Sequence, residues 1–304
     1  MRIGFSMPAY NEELLLEETV RGLTGLVDRL VIVNDGSKDQ TGAVADRLAK
    51  ELPWVSVIHQ QNTGVGGAVL AGIRKLLASG ECDAIGIIGS DNQCDPSLVP
   101  IFRWILDSQP DVSVAKGSRF LHPETLHNMP RFRYWGNRGV SAVMQIVLGY
   151  WGMSDVLHGY LLARRQVFAD MDLSRIAAGY DLENTMMAEF RRLRCQFMLV
   201  PSPSRYGRAK SSIVYRTQIP KTISKTAAIL SHRLQSGPLL DRLTPALGVA
   251  AGATAVLGLL SLSPRRLLGS LGLSAATLAT LKLTSPRVQR APNDLLGDLA
   301  DFAD

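Results

Sequence analysis

Residues 87–96 read IIGSDNQCDP, two isoleucines running directly into a cluster of carboxylates and amides. Asp91, Gln93 and Asp95 put oxygen donors at alternate positions. A diphosphate leaving group carries high negative charge, and a hard divalent ion held by such oxygens is the usual way to neutralise it. Three more stretches have related chemistry: PAYNEE at 8–13, NDGSKDQT at 34–41 and QNTGVGGAVLAG at 61–72. Glycines within 64–67 would let the backbone pass close to a ligand. Each stretch has a plainer alternative. Asp35 in NDGS is a good turn former, and 90–96 taken alone reads equally as a polar turn ending a strand. Gly64, Gly66 and Gly67 also suggest a dinucleotide-binding turn, but that pattern needs Gly or Ala at position 69, where Val69 stands, and the turn follows the third strand, not the first.

Strand ends must position these stretches, and the hydrophobic periodicity supplies them. Apolar runs of strand length at 3–7, 29–33, 55–59, 84–88, 112–116 and 196–200 alternate with helix-period segments at 12–26, 41–52, 64–77, 96–106, 140–148 and 182–193. Asp95 stands where it could cap the helix at 96. Strands separated by helical crossovers imply an α/β fold with a mostly parallel, doubly wound sheet, whose ligand sites lie at the carboxyl ends of the strands. The segment 122–138, with two prolines and five arginines or histidines, reads as a mobile basic loop of the sort that closes over substrates.

The chain has 304 residues, 46% hydrophobic and 20% charged, with a net charge of +6. This suits one catalytic domain plus an appendage and favours an anionic partner, leaving nucleic acid, phosphorylated substrates and anionic membranes open. Cys82, Cys94 and Cys195 show no CxxC spacing, which argues against a zinc site or a disulfide framework and for a reducing compartment. Met1 leads almost directly into a strand without the regions of a signal peptide, so the catalytic part is expected in the cytosol. The expected division is a catalytic domain at 1–215, a basic juxtamembrane segment at 216–242, an apolar helical hairpin at 243–283 and a disordered tail at 284–304. Residues 245–263 carry no charge over nineteen positions and 267–281 none over fifteen. Their Ala, Gly, Ser and Thr content makes insertion marginal, so membrane attachment and a soluble helical pair are both open.

Taken together, the four strand-end stretches resemble family 2 glycosyltransferases with the GT-A nucleotide-diphospho-sugar transferase fold, most closely the branch acting on polyprenyl phosphates, over roughly residues 1–215. The resemblance implies that Pro8, Ala9, Tyr10 and Glu12 hold the nucleoside, that Asp35 contacts base or ribose, and that Asn62, Gly66 and Gly67 line the donor side. It places Asp91 at the metal, Mg2+ or Mn2+, and Gln93 supplies a second oxygen. AKGSRF at 115–120, MPRFRYWGN at 129–137, DVLHGY at 155–160 and RYGRAKSSI at 205–213 resemble the acceptor half, where Arg119, Arg131 and Arg138 would clamp phosphate. GYDLEN at 179–184 resembles the acidic motif beneath the acceptor, so Asp181 or Glu183 becomes a candidate base for a hydroxyl acceptor, although an ionised phosphate needs none. The plainer alternative for Asp181 is a cap on the helix that follows. His158 stands where the family carries a small polar residue and is given no role. The family's paired aspartates would align with Gly89 and Asp91, so only the second is kept.

The resemblance thus implies an inverting sugar transfer from a nucleoside diphosphate, UDP or GDP, to a polyprenyl phosphate at the cytoplasmic membrane face, with no nucleic acid involved. A soluble transferase with a hydroxyl acceptor and a sugar-nucleotide-binding protein without turnover are the alternatives.

Overall fold

The computed structural model describes residues 1–123, 125, 129–203, 224, 226–231 and 286–291. Its elements follow the expected alternation: β1 (Ile3–Ala9), α1 (Leu16–Arg21), β2 (Arg29–Asp35), α2 (Thr41–Glu51), β3 (Val55–Gln60), α3 (Val65–Ser79), β4 (Ala84–Ile87), α4 (Leu98–Ser108) and β5 (Val114–Ser118). Then come α5 (Arg131–Leu148), β6 (Leu161–Arg164), α6 (Arg165–Asp170), α7 (Leu182–Arg192), β7 (Phe197–Pro201) and β8 (Val288–Arg290). The eight strands form one sheet in the order β3-β2-β1-β4-β6-β5-β7-β8. All pairings are parallel except those of β6, which runs antiparallel to both β4 and β5.

Strand alternation sorts the core onto two faces. Leu30 and Ile32 of β2 pack in one cluster with α1, α2 and α4. Val31 and Val33 pack in the other with α3, α5, α6 and α7. The sheet is therefore covered on both sides, as a mostly parallel sheet must be.

Several expectations are corrected. The helix expected at 12–26 shrinks to six residues, because Gly22 caps it and Gly25 takes φ 76°. The basic stretch 131–138 is not loop but the first two turns of α5, which begins after Pro130 and ends at the left-handed Gly149. Arginine is a good helix former and proline suits a helix start, so the basic composition misled. Asp95 does not cap α4. Ser97 holds the cap position without a side-chain bond, and Asp95 Oδ1 accepts from Ser97 N in a local turn. Strand β6 and helix α6 were not anticipated, since LLAR is too short to show a period. Val288–Arg290 pairs in parallel with β7, so the tail expected at 284–304 contains a strand. Apart from 286–291, that tail, the apolar hairpin at 243–283 and, apart from 224 and 226–231, the segment 216–242 lie outside the described residues. Among the described residues no helix is long and apolar enough to cross a membrane.

Candidate active site

The carboxyl ends of β1, β2 and β3 carry loops stitched together by side chains. Asn11 Oδ1 accepts from Lys38 N at 2.8 Å, Glu13 Oε2 from Gln40 N at 2.8 Å, and Thr41 Oγ1 from Glu12 N at 2.8 Å. Asn34 makes the tight turn in NDGS, its Oδ1 accepting from Ser37 N at 3.2 Å. Asp35 does different work. Its buried carboxylate accepts from Gln60 Nε2 (2.7 Å), Thr63 N (2.9 Å), Thr63 Oγ1 (3.1 Å) and Gly64 N (2.9 Å), and so shapes the 62–64 turn. The glycines that follow are required by protein, not only by a prospective ligand. A Cβ on Gly66 would lie 2.0 Å from Ala177 O and one on Gly67 2.2 Å from Thr63 Oγ1, while Gly67 N donates to Ala178 O at 3.0 Å. Asn62 is exposed, Ala9 is buried in β1, and Tyr10 is 43% exposed beside them.

The loop after β4 is pinned from three sides. Ser90 Oγ donates to Pro8 O at 2.8 Å, Thr19 Oγ1 to Ser90 O at 3.1 Å, and Tyr160 Oη from β6's side to Asp95 O at 2.9 Å. This holds Asp91 in the lining of a cavity of about 340 Å³. Burial raises the Asp91 carboxyl above its ordinary range, against the Gln93 N–H that donates to Oδ1 at 3.2 Å. Glu12 is pushed up to about 7, first by burial and then by the neighbouring Asp91 and Asp39 charges. Two desolvated carboxyls, with the Asp91 charge adding to the proton affinity of Glu12, are a donor set that a hard cation would relieve, and Gln93 adds an amide to the cavity lining. Among the described residues no cluster of three His, Cys, Asp or Glu side chains is set up for a metal. A cation there would need further oxygens from a bound ligand. Gly89 does not take positive φ, and a Cβ there would lie 3.0 Å from Asp91 Oδ1.

The opposite wall comes from β5, the approach to β6, and α7. Arg119 follows β5 and grips the fully buried Asp155 through Nε at 2.8 Å and Nη2 at 3.0 Å, with its own N–H at 3.1 Å. Burial alone would raise the Asp155 carboxyl, but the Arg119 charge and hydrogen bonds hold it well below the usual range. Lys116 lies inside β5 at 1% exposure and donates to the His158 carbonyl oxygen. Burial pushes Lys116 down to about 8. His158, buried and held neutral by burial, bonds Ser202 Oγ through Nε2 at 3.2 Å. Glu183, in the first turn of α7, lines the cavity and is pushed up to about 7 by burial. Asp181 sits at the α7 N-cap position without a side-chain cap bond.

The structure therefore brings Pro8, Asp91, Gln93, Arg119 and Glu183 into the lining of one cavity. Glu12 reaches it electrostatically through Asp91. Ala9, Tyr10, Asp35, Asn62, Gly66, Gly67, Arg131, Arg138 and Asp181 are not in its lining. Arg131 is exposed at the start of α5, and the Arg138 guanidinium stacks 5.3 Å from the Phe120 ring. Lys116 and Asp155 were missed. The one readable signal was a lysine between Ala115 and Gly117 in an apolar strand.

This arrangement of sheet, loops and cavity is the GT-A architecture. A glucosyl-3-phosphoglycerate synthase from Mycobacterium tuberculosis, solved with Mn2+, UDP and glucosyl-3-phosphoglycerate, shares the fold with a TM-score of 0.54 at 21% identity, over 75% of this chain and 78% of that one. The family model for glycosyl transferase family 2 matches residues 5–171, and the chain belongs to that family. A UDP-N-acetylglucosamine–dolichyl-phosphate N-acetylglucosaminyltransferase of Methanococcus voltae is 29% identical over 159 residues, 48% of this chain and 62% of its own length. An undecaprenyl-phosphate mannosyltransferase of Micrococcus luteus is 30% identical over 205 residues, 66% of this chain and 82% of its own. The chain spans less than two thirds of the length of the first of these relatives.

Proposed function

We propose that this chain transfers a sugar, with inversion, from a UDP- or GDP-sugar to a polyprenyl phosphate at the cytoplasmic face of a membrane. The carrying observation is a single cavity with the Asp91–Gln93 strand end on one wall and the basic Lys116–Arg119 wall of β5 across it. The names of both relatives specify a lipid-phosphate acceptor, which fits a site with cations opposite the donor end. A bound Mg2+ or Mn2+ would supply charge neutralisation to the departing nucleoside diphosphate. Asp91 and Gln93 would hold it, and Asp35 would keep the 62–64 turn in place beside the nucleoside. Pro8, Ala9, Tyr10 and Glu12 flank the nucleoside in this reading. Arg119, Arg131 and Arg138 attract the acceptor phosphate.

The outward face of α5 supports a membrane surface. Phe132 is 76% exposed, Trp135 69% and Val143 52%, with Arg131 and Arg138 beside them, a pairing of apolar and basic groups suited to an anionic interface. The test is incubation of the full chain with labelled UDP- and GDP-sugars, Mn2+ and undecaprenyl phosphate in detergent. Label extracted into organic solvent with release of nucleoside diphosphate is expected; nucleotide binding without any transfer would overturn it.

A second reading, transfer to a hydroxyl, is favoured by Glu183, a carboxyl poised at about 7 in the cavity. A base works only when deprotonated, so its rate would rise with pH through about 7 and Glu183→Gln would cost about 10²–10⁴-fold. With a phosphate acceptor, Glu183→Gln should retain most of the turnover and show no such rise.

A further inference from the structure

Lys116 is the least explained group in the cavity. A charged side chain on the inner stretch of a central strand, 1% exposed, carries a desolvation cost that a structural role does not require. Its only hydrogen bond among the described residues goes to the His158 carbonyl oxygen, a contact that any neutral donor could make. An ammonium has three N–H donors. Two remain, and the side chain lines the cavity together with Glu183 and Arg119. Asp155 does not answer Lys116 directly, because its carboxylate is occupied by the Arg119 fork. The burial that lowers its proton affinity to about 8 still leaves it mostly charged near neutrality.

Position decides which anion it would meet. In the sheet, β6 separates β5 from β4, so Lys116 stands two strand spacings, about 10 Å, from the strand that leads to Asp91. A diphosphate held at Asp91 therefore has its phosphates on the far side of the cavity. We propose that Lys116 is a substrate-binding residue, its ammonium fixed by the His158 carbonyl so that the two remaining N–H groups take the phosphate monoester of the acceptor. This rests on the acceptor reading above and deepens it by assigning the inner contact to a lysine on the sheet instead of the exposed arginines of α5. Arg119, held by Asp155, contributes positive field to the same point.

The test separates the lysine from the acceptor reading because it needs binding and not turnover. Citronellyl phosphate, a short isoprenyl monophosphate, is titrated calorimetrically into the full chain, and UDP and GDP are titrated in parallel with Mn2+. Lys116→Met deletes the charge at similar volume, and thermal unfolding checks its fold. The expected result is a loss of citronellyl phosphate affinity of about 10- to 100-fold, the range of a charge-assisted hydrogen bond, with nucleotide affinity within about twofold. Should Lys116→Met fail to fold, Lys116→Gln keeps a donor for His158 and gives the same readout. Wild type that binds no citronellyl phosphate overturns the acceptor reading and this inference with it. Equal binding by wild type and variant, or a larger loss for nucleotide than for citronellyl phosphate, overturns the lysine assignment alone.

Discussion

At the carboxyl ends of β1, β2 and β3, Asp35 accepts four hydrogen bonds from the chain around it, and the neighbouring loops exchange side-chain bonds. Around β5 and α7, Lys116, Asp155, His158 and Glu183 are ionisable groups drawn into the interior, of which Asp155 is gripped by Arg119. The first region is a frame whose polar groups answer one another, so it keeps its shape whether or not a ligand is present. The second stores desolvation: Glu183 is pushed up and Lys116 down, the state of groups whose best partner is a bound substrate. The inserted antiparallel β6 is what brings these regions together, since Tyr160 beside it also ties the Asp91 loop.

The sharpest break of that comparison is Asp91→Ala. With a single carboxylate in the SDNQ stretch, its loss should reduce transfer by about 10³-fold or more, while thermal unfolding stays near wild type because Asp91 carries little of the frame. Substantial transfer by the variant would move the donor end of the site elsewhere.

Next is Asp155→Ala, which removes the fully buried carboxylate that the Arg119 guanidinium grips and should cost about 3 kcal/mol in denaturant unfolding. The pH dependence follows from the sign of the shift. Asp155 is held below its unfolded value, so the stabilisation is complete above roughly pH 4 and lost as pH falls below it. Wild type should lose stability on acidification through that window, and the variant should lose clearly less. Parallel curves would show that the pair is not the acid-sensitive element.

A smaller effect is expected at the seam between the two regions. Gly66→Ala would put a methyl 2.0 Å from Ala177 O, so backbone must shift, at a cost of about 1–3 kcal/mol. Nucleotide affinity should fall with it, since α3 would be displaced from the 62–64 turn. An unchanged unfolding midpoint would show that the 177–178 segment yields freely.

The smallest effect is Arg131→Ala. The side chain is exposed at a helix start, so stability should change by less than about 0.5 kcal/mol, yet acceptor KM should rise while nucleotide affinity stays constant. Equal losses for acceptor and nucleotide would remove Arg131 from the acceptor side.

Strand runs, crossover helices and the strand-end motifs were legible in the sequence because local periodicity and turn chemistry fix them. The apolar runs of β1 and β2, the glycine-opened α3 and the strand leading into Asp91 all formed within a few residues of expectation. The positions of Pro8, Asp91 and Gln93 at one cavity followed from topology, because strand ends of a parallel sheet converge. What the sequence could not show was pairing between distant residues. LLAR carries no sign that it will lie antiparallel between β4 and β5, nor Val288–Arg290 that it will add to β7. The same limit hid Asp155, whose partner Arg119 is 36 residues away, and the close approach of Ala177 O to Gly66. Burial and charge neighbours are properties of the folded interior, where desolvation acts on whatever the topology encloses. Only tertiary structure could therefore decide that, among the described residues, Lys116 is enclosed with a single hydrogen bond while Asp35 is enclosed with four.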